Sequence, residues 1–239
     1  MEPFVFSSVH DNPAIEYIRE VLAPFLARLP GIGISADEFA PHYTKIVQLS
    51  LEDLSEFVNK DPAARGRSSY VWNAYGSPKA VVDYRIAHEI QCFAPDSSFS
   101  DLFLEMARSL SEESKQRSGI EIHPSAQIGG GFRVDHGFGT VIGETVEIGK
   151  NCVLLQGVVL GATGTSVMKD GRRHPKLGDG VEVCSFAKVL GPIDIGDGCF
   201  IGPECIVLES IPAGGRVLRN QTSQVVKGLN RERSVSHVM

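Results

Sequence analysis

The chain has 239 residues and a formal net charge of −6, and 42% of its residues are hydrophobic, which is sufficient for an apolar core. Its basic residues are scattered, whereas nucleic-acid binding requires clustered Lys and Arg, so we expect no nucleic-acid partner. No segment approaches the roughly 20 apolar residues that cross a bilayer, and the N-terminus lacks a signal-peptide layout, so we expect a cytoplasmic protein without membrane contact.

Residues 1–117 show the capping residues and the apolar periodicity that are typical of helices. Asn12 before Pro13 predicts a helix start, because an Asn side chain caps the first turn and Pro fits the first helical position. Apolar residues then recur every three or four positions as far as Leu29, which predicts one buried helix face. Pro24 lies inside this pattern and is expected to kink the helix.

Three more helices are predicted before the domain boundary. Ser50 and Asp53 resemble a capping box that begins the second helix. Ser77, which a proline follows, begins the third helix, and the fourth runs from about 101 to 115. The polar residues 111–118 are expected to form its frayed end and the boundary itself.

From Ile122 onward, an aliphatic residue recurs with a period of six. This period predicts a parallel β-helix, in which equivalent aliphatic residues stack from one coil to the next. We therefore predict an α+β protein with a helical domain at 1–117, a β-helix domain at 118–212, and a C-terminal cap and tail at 213–239. The residues that carry the period are Ile142, Ile148, Leu154, Leu160, Leu177, Val183, Val189, Ile195, Ile201 and Val207.

The five cysteines are odd in number and lie mostly inside the six-residue repeats, without the paired spacing of a metal site. We expect buried free thiols, no disulfide and no bound metal. The cysteines are Cys92, Cys152, Cys184, Cys199 and Cys205.

The period is interrupted twice. Within 134–142 the aliphatic residues are eight positions apart, which predicts an enlarged corner beside Asp135–His136. Within 160–177 a segment rich in Gly, Thr, Lys and Arg predicts a projecting loop that ends in Arg173–His174. Insertions in a solenoid fall on exposed corners, where function is usually placed.

A histidine stands at each interruption. A neutral imidazole, with a pKa near 6.5, is the usual group for taking a proton from a hydroxyl near neutral pH. Each histidine could instead be a corner residue held by a local hydrogen bond. The placement of His136 and His174 at the two interruptions favours acid–base chemistry.

The motifs around these interruptions resemble, in order and spacing, the serine O-acetyltransferases of the hexapeptide-repeat superfamily. The resemblance covers roughly residues 61–212 and includes two motifs in the helical domain. The motifs are Asp61-Pro62-Ala63, Tyr84-Arg85-Ile86-Ala87-His88, Glu121-Ile122-His123-Pro124, Asp135-His136, Gly143-Glu144-Thr145, Leu160-Gly161-Ala162-Thr163-Gly164 and Arg173-His174-Pro175-Lys176.

The resemblance implies a left-handed β-helix that transfers acetyl from acetyl-CoA to the hydroxyl of L-serine, the step that prepares serine for cysteine synthesis. It implies direct transfer, because the pattern places no cysteine or serine as a covalent nucleophile. The implied roles are His136 as general base, Glu121 as the carboxylate that orients its ring, Arg173 and His174 as catalytic-site residues that hold the substrate carboxylate, and Asp61 and Asp135 as anchors for its ammonium group.

The resemblance also implies that acetyl-CoA binds along turns of small residues. Glycine at a turn needs no ligand to explain it, and the basic loop that contains Arg173 could instead lie near the coenzyme A phosphates. The implied coenzyme contacts are Gly161, Ala162, Thr163, Gly164, Ser185, Ala187 and Lys188.

The chain departs from the family pattern at several positions. Glu121 stands where the family usually has aspartate, and Phe186 and Glu204 replace small residues beside the pantetheine arm. An altered acyl donor, a reshaped cleft and reduced activity are the three interpretations of this bulk that stay open. The final coil has Arg219 and its neighbours in place of the usual Gly-x-Pro-Ala sequence.

The resemblance implies a homotrimer or a dimer of trimers, with active sites between neighbouring copies. Family members that dock into cysteine synthase use a C-terminal isoleucine, whereas this chain ends in 236–239, Ser-His-Val-Met, so we expect no stable complex of that kind.

Two alternatives stay open. The chain could be a related O-acyltransferase with another hydroxy amino acid or another acyl donor, or a non-catalytic β-helix that binds a ligand. The four residues at the two interruptions, Asp135, His136, Arg173 and His174, favour an enzyme.

Overall fold

The computed structural model describes residues 12–93, 99–164, 171–220, 224–227 and 232–235, the last two ranges as backbone alone. In this part of the chain, no helix is long and apolar enough to span a membrane. The α-helices are α1 Pro13–Leu26, α2 Ala40–Lys60, α3 Ser68–Ala74, α4 Ser77–Cys92 and α5 Ser100–Ser118.

The strands after α5 form a solenoid with three faces, each a parallel sheet. An antiparallel hairpin, β15 (Gln224–Lys227) and β16 (Glu232–Val235), follows the solenoid. Face A contains β1 Glu121–Ile122, β4 Val141–Ile142, β7 Val159–Gly161, β10 Lys188–Leu190 and β13 Ile206–Val207; face B contains β2 Gln127–Ile128, β5 Glu147–Ile148, β8 Lys176–Leu177 and β11 Asp194–Ile195; face C contains β3 Arg133–Val134, β6 Val153–Leu154, β9 Glu182–Val183, β12 Phe200–Ile201 and β14 Arg216–Val217.

The predicted parallel β-helix is confirmed. Strands of successive coils pair in register, so that each aliphatic residue of the period lies on its equivalent in the next coil. Because one residue of each strand points inward and its neighbour outward, the stacked aliphatic residues form a continuous core. On face A this buried row is Ile122, Ile142, Leu160, Val189 and Val207.

The solenoid extends past residue 212, where the sequence pattern ends. Residues 212–215 turn the chain as 196–199 do one coil earlier, with Gly214 N–H donating to Asp197 O at 2.7 Å. Strand β14 then pairs with β12 on face C. Ile211 and Val217 are again six positions apart and pack against the core, but Ile211 follows Val207 by only four positions, so the fold continues beyond the unbroken count of six.

The start of α1 agrees with the prediction. The Asn12 side chain accepts a hydrogen bond from Ala14 N–H at 2.9 Å, and Pro13 is the first helical residue. The helix ends at Leu26, so the apolar face predicted as far as Leu29 continues into a short 3-10 turn.

Two helix boundaries predicted from the sequence are wrong. Helix α2 begins at Ala40, and Ser50 and Asp53 lie buried in its interior, because Asp53 pairs with a distant arginine instead of capping a helix. Residues 111–118 are not a frayed link but the last two turns of α5. Ser111 and Ser114 are buried there, and Gly119 ends the helix in the left-handed conformation (φ 72°).

All five cysteines are free, as predicted. Burial was predicted correctly for Cys152, Cys199 and Cys205, whereas Cys92 is exposed and Cys184 half-buried.

A buried ion pair joins the helical domain to the first coil of the solenoid. Arg85 of α4 binds the Asp53 carboxylate of α2 with Nε–Oδ2 and Nη2–Oδ1 distances of 2.9 and 3.1 Å. The same guanidinium donates to the carbonyl oxygens of Ile128 and Gly129, and Asp53 accepts the Phe132 amide at 2.8 Å. Every charged atom of the pair therefore has a partner, which a buried charge requires.

A second buried carboxylate ties three helices together. Asp83 of α4 accepts hydrogen bonds from Tyr17 of α1 at 2.7 Å and from Ser114 of α5 at 2.7 Å, and pairs with Arg117 at 2.8 Å. Ser111 of α5 donates to the Ile122 carbonyl at 2.7 Å. The helices and the first coil thus form one packed unit.

We predict that Asp53→Asn lowers the free energy of unfolding by about 3–5 kcal/mol, because it leaves the buried Arg85 charge without its counterion. Urea denaturation followed by circular dichroism measures this. The control is Lys60→Gln on the same helix, where the lysine side chain is 62% exposed and the loss of its ion pair with Glu56 should cost at most about 0.5 kcal/mol. Equal losses in the two variants would contradict the prediction.

Candidate active site

The enlarged corner predicted within 134–142 exists, lies between faces C and A, and carries His136. We call the edge formed by residues 135–140, 155–158, 184–187 and 202–205 the His136 corner. His136 has a left-handed backbone (φ 59°), and its side chain is 73% exposed. Its Nε2 lies 3.9 Å from Asp135 Oδ1. An exposed imidazole beside a carboxylate is thus available to a ligand on the solvent side of the corner.

Helix α2 ends close to this corner and brings a second acidic residue towards it. Asp61, the residue after α2, accepts the Ala63 amide at 2.8 Å, so it also caps the following turn. A hydrogen bond to Asp61, followed by burial and the charges of Asp61 and Asp135, raises the pKa of the Tyr75 phenol. Asp61, Tyr75 and Asp135 therefore lie near one another.

Tyr75 was not found from the sequence. It is the residue that follows α3, in a segment without a motif, and only the packing of α3 against α2 brings it to the carboxylates.

The Glu121 carboxylate lies on the adjacent coil and pairs with helix α5. Its oxygens are 2.6 Å from Lys115 Nζ and 3.3 Å from Arg108 Nη2. Burial would raise the pKa of Glu121, but the hydrogen bonds and charges of Lys115 and Arg108 outweigh it, and the pKa is lowered. In the described part of the chain, the carboxylate paired with His136 is therefore Asp135, and Glu121 is held by two cations.

His174 lies on a different edge of the prism, which we call the His174 corner: residues 123–126, 143–146, 162–164, 171–175 and 191–193, between faces A and B. The side chain is buried, and its ring covers Gly143, where an added Cβ would be 2.3 Å from Nε2. Nδ1 receives the Thr145 amide at 3.1 Å and lies 2.8 Å from Thr145 Oγ1. Because Nδ1 accepts a backbone N–H, the neutral ring carries its proton on Nε2.

The surroundings of His174 favour its neutral form. Burial, and then the positive charge of Arg173, lower the pKa of His174. His123 lies in the same corner, where its Nδ1 accepts the Ser125 amide at 3.1 Å, and burial and Arg108 lower its pKa too. Exposed Glu144 acts on both rings in the opposite direction. The corner thus presents neutral imidazoles beside Arg173, a suitable environment for an anionic group.

Face A separates the two corners. At about 3.3 Å per residue, the three steps from Thr140 to Gly143 span about 10 Å, several times the length of a hydrogen bond. One copy of the chain therefore brings Asp61, Asp135 and His136 together, and Arg173 with His174, but it does not bring the two groups together.

The residues expected to contact coenzyme A are likewise divided between the corners. Gly161–Gly164 leave face A at the His174 corner, whereas Ser185 and Ala187 lie in the His136 corner and Lys188 begins β10. Residues 165–170 of the loop lie outside the described residues.

Two bulky residues occupy left-handed positions in the His136 corner. Phe186 (φ 61°) is 55% exposed, and its ring covers Gly157, where an added Cβ would lie 2.3 Å from the ring. Glu204 (φ 58°) forms an ion pair with Arg219. The small-residue turns of the family pattern are therefore replaced here by an exposed ring and a carboxylate paired with Arg219.

Within the described residues, no group of three or more His, Cys, Asp or Glu side chains is arranged to hold a metal ion.

Curated proteins similar to the chain are serine acetyltransferases. That of Bacillus subtilis (strain 168) is 38% identical over 188 residues, which cover 76% of this chain and 81% of that protein. That of Helicobacter pylori (strain ATCC 700392 / 26695) is 40% identical over 174 residues, which cover 73% of this chain and 95% of that protein. No protein-family model matches the chain.

Solved structures of serine acetyltransferases share the fold. Isoform 3 from Entamoeba histolytica, in complex with cysteine, has a TM-score of 0.70 and 32% identity over 90% of this chain and 72% of that chain. The Neisseria gonorrhoeae protein, in complex with serine, has a TM-score of 0.67 and 25% identity over 94% of this chain and 85% of that chain. These likenesses confirm the predicted fold class, a helical domain followed by a left-handed parallel β-helix.

We predict that His174 titrates below the ordinary histidine value near 6.5. Since its folded-state pKa is lowered, the unfolded chain binds this proton more tightly. The stability that the neutral ring contributes is therefore present above about pH 6.5 and lost as the pH falls through the folded pKa. Proton NMR of the ring resonances measures the midpoint, with His174→Gln to assign the signal. A midpoint at or above 6.5 would contradict this.

Proposed function

The chain belongs to the serine acetyltransferase family, and we propose that it uses the imidazole of His136 as the general base in transferring acetyl from acetyl-CoA to L-serine. The chain is an acyltransferase with acetyl-CoA as its co-substrate, and the reaction prepares serine for cysteine synthesis. The observation that carries the proposal is the exposed imidazole of His136, with carboxylates beside it, at the place where the solenoid is enlarged.

The chemistry follows from the exposure of this ring. The unprotonated nitrogen of His136 takes the proton of the serine hydroxyl while the hydroxyl oxygen attacks the thioester carbonyl carbon. The C–S bond then breaks, and the proton passes from the imidazolium to the departing coenzyme A sulfur. General-base catalysis of this kind contributes a factor of about 10²–10⁴ to the rate.

Direct transfer is supported by the state of a half-buried thiol in the same corner. Cys184 lies in the His136 corner, but burial and then the negative charge of Glu182 raise its pKa, which keeps the thiol protonated. A protonated thiol is a poor nucleophile, so an acyl-cysteine intermediate is not favoured there.

The two charged ends of serine require opposite anchors. Asp61 and Asp135 form an acidic region beside His136, which suits the ammonium group. The guanidinium of Arg173 and the Nε2–H of neutral His174 suit the carboxylate. With both ends held, the hydroxyl is directed to the imidazole of His136.

A complete site requires two copies of the chain. The ammonium anchors and the base lie on one edge of face A, and the carboxylate anchors on the other edge. In a cyclic trimer, the His136 corner of one copy can meet the His174 corner of the next. We therefore propose a homotrimer, alone or as a dimer of trimers, with its sites between copies.

Acetyl-CoA is proposed to run along the same junction, with its thioester near His136. Support comes from the coenzyme residues themselves, because Gly161–Gly164 and Ser185 to Lys188 lie at the two edges that the junction would join. Phe186 exposes its ring beside this path, so the proposed cleft is narrower than one lined by small residues. The orienting role of Glu121 stays a prediction, since its carboxylate is paired with Lys115 and Arg108.

A cytoplasmic location and the absence of a stable cysteine synthase complex also stay predictions. The terminal residues 236–239, on which the second depends, lie outside the described residues.

We predict that His136→Ala lowers kcat for acetyl transfer by about 10²–10⁴-fold, because the hydroxyl loses its proton acceptor. Steady-state assay of coenzyme A release measures this. The control is Gln127→Ala, an exposed position on face B, which should keep wild-type kcat. Unchanged turnover in His136→Ala would remove His136 as the base.

We predict that inactive variants complement each other in mixed trimers. His136→Ala and His174→Ala each remove one half of every site in a homotrimer. Coexpression with two different tags and tandem purification isolates mixed trimers, in which about one site in three combines two intact corners. About a third of wild-type activity should return. Mixed trimers as inactive as the parents would contradict a shared site.

A further inference from the structure

We propose that Thr145 is a positioning residue for the substrate carboxylate, because its hydroxyl links the Arg173 backbone to the His174 ring. The proposal rests on the proposed function, in which Arg173 and His174 hold that carboxylate. Thr145 itself touches neither the reacting hydroxyl nor the thioester in this arrangement.

Three contacts converge on Thr145. Its Oγ1 accepts the Arg173 amide at 3.0 Å and lies 2.8 Å from His174 Nδ1. Its own amide donates to the same Nδ1 at 3.1 Å. Since Oγ1 uses a lone pair for Arg173 N–H, its single proton is free to point at Nδ1. One hydroxyl group thus contacts two consecutive residues, the Arg173 amide and the His174 ring.

The direction of these hydrogen bonds determines what His174 can do. Both donors point at Nδ1, so the proton of the neutral ring is on Nε2, and Nε2 can only donate. Gly143 leaves room for the ring, because an added Cβ there would lie 2.3 Å from Nε2. A ring held in this way is a hydrogen-bond donor to an anion rather than a base.

The same hydroxyl determines where the Arg173 side chain begins. The Arg173 amide is held 3.0 Å from Oγ1 of Thr145. Thr145 lies two residues after Gly143, at the edge of face A. The Arg173 backbone and the His174 ring therefore share one attachment to the solenoid. If that attachment is lost, both carboxylate anchors change position together, while His136 on the other corner is unaffected.

Two substitutions and two substrates test the proposal. Thr145→Val keeps the shape of the side chain but removes the hydroxyl, and Thr145→Ser keeps the hydroxyl. The substrates are L-serine and L-serinamide, in which a neutral amide replaces the carboxylate. We expect Thr145→Val to raise KM for L-serine about tenfold, equivalent to about 1.4 kcal/mol, with little change in kcat. KM for L-serinamide should hardly change, and Thr145→Ser should restore the wild-type KM for L-serine.

A merely structural role gives a different pattern. A general distortion of the corner would impair both substrates equally, and that result, or an unchanged KM for L-serine, would overturn the proposal. Circular dichroism melting shows whether Thr145→Val is folded under assay conditions.

A measurement without turnover separates this proposal from the proposed function. Nitrogen-15 NMR of the His174 ring should show the Nε2–H form in the wild type, and Thr145→Val should raise the His174 pKa, because the neutral form loses a donor to Nδ1. A wild-type ring protonated on Nδ1, or a pKa that does not rise in Thr145→Val, would overturn the role of Thr145. Failure of the wild type to acetylate L-serine, with both ring results as expected, would instead contradict the proposed function alone.

Discussion

The buried ion pair between Arg85 and Asp53 is the interaction on which the arrangement of the two domains depends. It joins two helices to the carbonyls of the first turn of the solenoid, and its removal would leave a charge in the protein interior. Asp53 lies two turns before the end of α2, and Asp61 follows that end. The position of Asp61 relative to Asp135 is therefore set by a contact between domains, at the coil that leads directly into the His136 corner.

The solenoid explains why the candidate chemistry is divided. Each coil contributes one buried aliphatic residue to each face, and these residues stack into closely packed rows. An insertion within a face would disrupt this packing, so only the corners can be enlarged. One enlarged corner and one loop lie on opposite edges of face A. The residues on these two edges can form one site only if a second copy of the chain packs against the first. Assembly of the copies is therefore part of the proposed catalysis.

Three residues of the His136 corner have a left-handed backbone conformation. His136, Phe186 and Glu204 all have positive φ, where a residue other than glycine costs of order 1 kcal/mol or more. Glycine would avoid this cost at each position but would supply no side chain. The left-handed turn directs the imidazole of His136 and the ring of Phe186 away from the core, so both remain exposed on one edge.

The sequence by itself determined the period of the solenoid, the starts of α1 and α4, the two interruptions and the family, because each of these depends on residues close together in the chain. It misplaced the start of α2 and the end of α5, because Ser50, Asp53 and Ser111 have the composition of caps and links but find distant partners. Only the tertiary structure decided that Lys115 and Arg108 hold Glu121, that Tyr75 lies beside two carboxylates, and that Thr145 orients His174. The burial of a side chain, its ion pairs and its hydrogen-bond donors depend on which residues meet in space. The local sequence pattern does not contain that information.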